Sequence, residues 1–320
     1  MILLYAPPDP ALTPASRAGP AGGRRQDAVL ISGDMPTILI TGAAGRIGTM
    51  LRPRLARPGR VLRLLDIAPL AQPPGPAEES VTASVTDMTA MTAACAGADA
   101  VIHLGGIPTE DAWAPILDVN INGTYTVFEA ARRAGVPRVV FASSNHAVGF
   151  APRESFPVPD EARPEPDTYY GVSKATGEAL AALYARRYRL DAVCVRIMSC
   201  FERPETPRML ASWLSPDDAG RLFEACLTAP APGFRVIYGI SANTRGAGWV
   251  SLDGARALGY EPRDDAEAYA ADFPGDGGAA GAGWPDPADP TFRYLGGEYT
   301  LPSRDAPVPA DAPAPPATSR

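Results

Sequence analysis

Between residues 37 and 197 the chain alternates short, wholly apolar runs with longer stretches in which apolar residues recur every three or four positions. Runs that are apolar throughout read as strands covered on both faces, and the wider spacing reads as helices with one covered face. The pattern predicts strands at Thr37–Thr41, Val61–Asp66, Ala100–Leu104, Arg138–Ser143 and Asp191–Ile197. Helices are predicted at Arg46–Ala56, from an Asp87 N-cap through Ala94, at Ile116–Ala134 and at Tyr170–Tyr188, with a proline-rich loop after Asp66. Alternation of this kind implies an α/β fold built on a doubly wound parallel sheet.

The flanks lack any such period. Residues 1–35 are rich in Pro, Gly, Ala and Arg and are expected to be a disordered extension, with Met35 offering a second start directly before the first strand. Residues 301–320, rich in Pro and Ala, are expected to be a flexible tail. Residues 36–300 are then a single domain, its last part (about 200–300) forming a small substrate lobe. Hydrophobic residues make up 46% of the chain, enough for a sizeable core, and a formal charge of −7 argues against nucleic acid or an anionic membrane as partner. Cys95, Cys194, Cys200 and Cys226 form no C-x-x-C pair, and two histidines are too few for a His-rich site, so no metal and no disulfide scaffold are expected. No apolar run approaches the roughly 18 residues of a membrane span. A cytoplasmic location is expected.

The first strand runs into Thr41-Gly42-Ala43-Ala44-Gly45-Arg46-Ile47-Gly48, three glycines opening a helix. Glycines there let the backbone turn tightly and approach a pyrophosphate, whose charge a helix N-terminus favours. The second strand ends on Asp66, placed to bind ribose hydroxyls and repel a 2′-phosphate, which favours NAD over NADP. Arg46 and Arg63 argue the other way, because a nearby arginine could hold that phosphate.

Tyr170 and Lys174 stand four apart on a predicted helix and so share a face. An ammonium beside a phenol favours phenolate and would lower the tyrosine pKa towards the range of a general base. Lys174 is the only lysine among 29 basic residues, which suggests a position where a compact ammonium is needed. Ser143-Ser144 ends the intervening strand at the edge where such sheets bind ligands.

With these motifs in view, the chain resembles the extended short-chain dehydrogenase/reductase superfamily, a Rossmann-type fold. The resemblance implies that Leu104, Gly105 and Gly106, in His103-Leu104-Gly105-Gly106, meet the cofactor backbone, that Asn120 lies in an N-x-x-G-T helix, and that Val85 lies at the adenine. The superfamily often has an aspartate beside that position; this chain has Ser84, and Asp87 matches only a later acidic place. It also implies roles: Ser144 bonds the reacting oxygen, Tyr170 moves its proton, and Lys174 holds the nicotinamide ribose. His103 reads as structural.

Phe141-Ala-Ser-Ser-Asn-His146, Val195-Arg-Ile-Met-Ser-Cys200, Arg208-Met-Leu-Ala-Ser-Trp213, Ser215-Pro-Asp-Asp218 and Gly239-Ile-Ser-Ala-Asn243 are similar to uronate dehydrogenases, the likeness running from Pro36 to Thr300. The resemblance implies NAD-dependent oxidation of D-galacturonate or D-glucuronate at the anomeric carbon to an aldarolactone. Arg208 would clamp the sugar-acid carboxylate, with Asn145, His146 and Ser199 serving the hydroxyls. Asn145 and His146 also suit a strand-end cap, and Arg208 a surface charge. Pro108 replaces a sugar-contacting serine, leaving Thr109 as its substitute, and Tyr299 stands where an aromatic closes the pocket. A nucleotide-sugar epimerase or reductase and a non-catalytic NAD-sensing regulator are the alternatives. A homo-oligomer is expected by analogy.

Overall fold

The structure, a computed structural model, describes residues 36–246, 248–273 and 289–301. The expected N-terminal extension (1–35) and nearly all of the expected tail (302–320) lie outside the described residues. In chain order come β1 (Thr37–Thr41), α1 (Arg46–Leu55), β2 (Val61–Asp66), β3 (Glu78–Thr82), α2 (Met88–Cys95) and β4 (Ala100–His103). A short α3 (Trp113–Pro115) runs through a π-helical segment, Ile116–Asn122, into α4 (Gly123–Ala134), and β5 (Arg138–Ser144) follows. Then come α5 (Tyr169–Tyr188), β6 (Asp191–Ile197), β7 (Ser199–Cys200), α6 (Met209–Ser212), β8 (Trp213–Leu214), α7 (Pro216–Thr228), β9 (Phe234–Gly239) and α8 (Asp253–Ala257).

Seven strands form one parallel sheet in the order β3-β2-β1-β4-β5-β6-β9. The middle stretches of the central strands, Ile38–Ile40, Val101–Ile102, Val139–Ala142 and Ala192–Val195, are apolar because both of their faces are covered. One face packs Ile38, Ile40, Val193 and Val195 against Leu51 and Leu55 of α1 and Leu222, Phe223 and Cys226 of α7. The other packs Leu39, Val101 and Val139 against Met91 of α2, Val127 and Phe128 of α4 and Ala181 and Tyr184 of α5. In parallel register, Thr41, Asp66, His103, Ser144 and Ile197 all reach the carboxyl edge, where the helices leave a crevice.

The doubly wound sheet is as predicted, with element ends within one or two residues. β3 differs: the segment read as a loop pairs with β2. Its residues are polar because it is an exposed edge, and Arg52–Glu78 and Arg63–Glu79 contacts at 2.6 Å hold it. The helix expected from Ile116 begins as a π-turn, with Gly123 pressed so close to Val85 that a Cβ would sit 2.8 Å away. The lobe expected over about 200–300 is divided. Within that range α7 and β9 complete the sheet body, and Cys200 of β7, Leu214 of β8 and Ala255 of α8 pack into its core as well. Met198, Ala211, Ile240, Trp249, Phe292 and Leu295 make a core of their own there, joined by Val148 and Val158. No helix among the described residues is long and apolar enough to cross a membrane.

Candidate active site

Gly42 adopts φ +71°, and a Cβ there would meet the Gly105 nitrogen at 2.7 Å, so this position demands glycine both for its turn and for the approach of the next loop. The helix it opens, α1, has no side-chain cap and no acidic residue in its first turn, whereas Asp87, Thr168 and Ser215 cap α2, α5 and α7. A bare N-terminus of this kind, at Gly45-Arg46-Ile47-Gly48, fits a pyrophosphate. Asp66 ends β2 with one oxygen accepting the Ala44 N–H (2.9 Å) and the other the Ala68 N–H (3.0 Å), which leaves carboxylate lone pairs beside the loop for ribose hydroxyls. Both arginines that argued for NADP are engaged elsewhere. Arg46 lies over the Phe201 ring, 4.2 Å from its centroid, and Arg63 bonds Glu79 and the carbonyls of Ala94 and Ala96. Ser84 bonds Thr86, and Asp87 is spent on the N–H groups of Thr89 and Ala90, so that acid is a helix cap.

The loop after β4 is held by a directed chain of hydrogen bonds. Gly105 N–H donates to Thr41 Oγ1 (3.2 Å), which lies 2.8 Å from His103 Nδ1, and His103 Nε2 lies 3.1 Å from Thr124 Oγ1. Thr124 gives its own proton to the Asn120 carbonyl (2.5 Å), so His103 must donate through Nε2 and accept through Nδ1. Burial, with Lys174 nearby, pushes His103 down to about 3, so it stays neutral and structural. The Asn120 side chain accepts from Ile107 N–H (2.7 Å) and donates to Ile107 O and Ser173 Oγ, which ties this loop, with Leu104, Gly105 and Gly106, to α5.

Tyr170 and Lys174 share one face of α5, and Thr168 caps the helix through Gly171 N–H. Gly171 lets this first turn press against the carbonyl of His146, which brings Tyr170 onto Ser144. The Ser144 hydroxyl, which donates to Asn145 Oδ1 (3.4 Å) and accepts the His146 N–H (3.2 Å), favours the Tyr170 phenolate. Burial nevertheless pushes the phenol up to about 12, with Tyr299 and Asp167 adding to the rise. The direction is opposite to the expected lowering because desolvation is the largest influence on this phenol. Lys174, pushed down to about 8 by burial, donates to the Ala142 carbonyl (2.8 Å) with Nζ 5.4 Å from the Tyr170 ring centroid. Tyr169 packs edge-on against Trp113 instead.

The residues expected to hold substrate gather around this pair. The His146 ring stands edge-on to Tyr170 (5.9 Å) and Tyr299 (4.7 Å), and Tyr299 reaches Thr109 at 3.2 Å. Asn145 Nδ2 and Arg208 Nη2 both donate to the Leu295 carbonyl. Arg208 lies over Trp249 (4.9 Å), burial pushes it down to about 10, and it pairs with no carboxylate among the described residues. Ser199 meets Ser212 at 2.9 Å, and Ser212 bonds the Arg208 carbonyl, so Ser199 braces the turn that carries Arg208. Val85 wedges under Gly105 and Gly123.

Sequence reasoning missed two carboxylates. Glu110 accepts the backbone N–H groups of Tyr169 (3.1 Å) and Tyr170 (2.8 Å), and Asp167 holds His146 Nδ1 at 2.8 Å. Asp167-Thr168 ahead of the Tyr170 helix is a capping signal that could have drawn notice; nothing local marks Glu110, which acts across 60 residues.

The family model described as the NAD dependent epimerase/dehydratase family matches residues 38–214. A uronate dehydrogenase of Pseudomonas putida (strain KT2440) is 43% identical over 266 residues, covering 82% of this chain and 95% of that protein. An NAD-dependent glucose-6-phosphate dehydrogenase of Haloferax volcanii is 40% identical over 258 residues, 74% of this chain and 96% of that one. Among solved structures, a mutant uronate dehydrogenase from Agrobacterium tumefaciens complexed with NAD superposes with a TM-score of 0.75 at 41% identity, covering 83% of this chain and 97% of the other. With likeness of this extent over most of both chains, the chain belongs to the NAD dependent epimerase/dehydratase family and, within it, to the uronate dehydrogenases.

Proposed function

We propose that the protein oxidises a hexuronate, D-galacturonate or D-glucuronate, at the anomeric carbon to its aldarolactone, with NAD as hydride acceptor. Arg208 carries this reading. Its guanidinium is half-buried, bonds the carbonyls of Leu295 and Thr291, lies over the Trp249 ring and, among the described residues, pairs with no carboxylate. A cation so placed is costly until an anion completes it. Glu298, Asp167 and Asp289 already act on it from further away, so one added negative charge suits the site better than a phosphate dianion. That favours a carboxylate over a sugar phosphate.

The glycine loop, the bare start of α1 and Asp66 would hold the dinucleotide, and Lys174 the nicotinamide ribose. Bound NAD supplies the hydride acceptor and a cationic ring. Tyr170, as phenolate, takes the proton of the anomeric hydroxyl while the hydride leaves the same carbon, and Ser144 holds the reacting oxygen. The Lys174 ammonium, with the cationic ring, favours the phenolate that burial alone disfavours.

Purified protein with NAD is expected to form NADH with galacturonate or glucuronate, and not with galactose, glucose 6-phosphate or UDP-glucuronate. Arg208→Ala should raise KM for the uronate about 100-fold with NAD binding kept. Turnover of the controls in place of the uronates would overturn the substrate assignment.

A further inference from the structure

Asp167, two residues ahead of α5, has a side chain with no solvent exposure. Three segments admit its carboxylate through glycines. A Cβ on Gly149 or Gly296 would collide with it, and one on Gly171 would come within 3.2 Å. Two groups bond it: His146 Nδ1 at 2.8 Å from one oxygen and Thr168 Oγ1 at 3.0 Å from the other. The Thr168 oxygen already accepts the Gly171 N–H at 2.9 Å, so its proton points to Asp167. An ionised carboxylate only accepts, so the bonded ring nitrogen carries the hydrogen. His146 Nε2 takes no hydrogen-bond partner among the described residues, and the ring edge stands between Tyr170 and Tyr299.

We propose that Asp167 is a positioning residue that fixes His146 as its Nδ1–H tautomer, leaving Nε2 as an acceptor that selects for a ligand hydroxyl beside the Tyr170 phenol. The identity of that ligand rests on the sugar-acid reading; the tautomer does not. The other histidine, His103, is set the opposite way by Thr124, with hydrogen on Nε2. The two rings of this chain are thus set by their partners to carry hydrogen on opposite nitrogens.

With only two histidines in the sequence, a long-range proton–nitrogen spectrum of the full-length, nitrogen-15-histidine-labelled protein at pH 8 reads both directly. One Nε2–H ring and one Nδ1–H ring are expected, the second vanishing in His146→Gln. Asp167→Ala should release His146 towards the Nε2–H form and raise KM for the uronate about tenfold, with kcat falling less and the thermal shift caused by NAD kept. Asp167→Asn, which retains one acceptor, should recover part of the loss. Two Nε2–H rings or an imidazolium at His146 in the wild-type protein would overturn the proposal, whether or not the variants fold. So would an unchanged His146 ring in Asp167→Ala, or equal losses of kcat, KM and the NAD shift. Absence of uronate turnover in the wild-type protein would strike the sugar-acid reading alone, since the spectrum decides the tautomer independently.

Discussion

Lys174 is a charge kept where charge costs stability. Burial lowers it to about 8 from an ordinary 10.5, so at pH 7 the folded protein carries an ammonium it would be more stable without. The sign follows from linkage. The unfolded chain binds the extra proton between those two values, so this group opposes folding fully below about pH 8, and the penalty is relieved as pH rises towards about 10.5. Replacing it with Met should therefore stabilise the fold at pH 7 by about 1–3 kcal/mol, after allowing for the lost bond to Ala142. The gain should shrink as pH rises through that window, while turnover is abolished. Denaturant unfolding at pH 7 and pH 10 checks both signs, and a destabilised variant at pH 7 would contradict the account. The lysine was legible as special from its solitude in an arginine-rich chain. What could not be read was the direction of the Tyr170 shift, because desolvation depends on neighbours from β5, α5 and the 3₁₀ turn of Tyr299.

At the scale of elements, α5 positions the chemistry and its start is built from three places. Thr168 caps it locally, Gly171 admits the His146 turn, and Glu110 reaches over from the loop after β4 to bond the N–H groups of Tyr169 and Tyr170. A carboxylate at a helix N-terminus gains from both the free donors and the dipole. Glu110→Ala should cost about 1–2 kcal/mol in thermal or denaturant unfolding. It should also raise uronate KM several-fold, because Thr109, one residue away, loses its tether. Unchanged stability would show that the contact contributes nothing. Helices and central strands were legible in advance because their apolar periods follow directly from burial. β3 was not, since an edge strand whose Glu79, Ser80 and Thr82 are exposed carries no apolar signature and exists only because β2 lies beside it.

At the scale of the whole molecule, the carboxyl edge of one sheet gathers a dinucleotide site on its β1–β2 side and the Tyr170 site beyond β4 and β5. With Arg46 on Phe201 and Arg63 on Glu79, no free cation among these two waits for a 2′-phosphate, and Asp66 would repel it. NAD at about 100 times its Kd should stabilise the protein by about 2.7 kcal/mol, a rise of roughly 5–10 °C in Tm, and NADP at equal concentration should give far less. Equal shifts would overturn the cofactor preference. The doubly wound sheet, the glycine loop, Asp66 and the Tyr170–Lys174 pair were legible along the chain, because hydrophobic period and helical spacing are local and a phosphate loop needs its residues contiguous. The remainder came from folding. Arg46 and Arg63 were drawn onto Phe201 and Glu79, Arg208 was left without a carboxylate partner among the described residues, and Asp167 and Glu110 were brought to His146 and the start of the Tyr170 helix. Each of these depends on which distant backbone or side chain lies within hydrogen-bond reach once the chain has folded, and no local pattern encodes that.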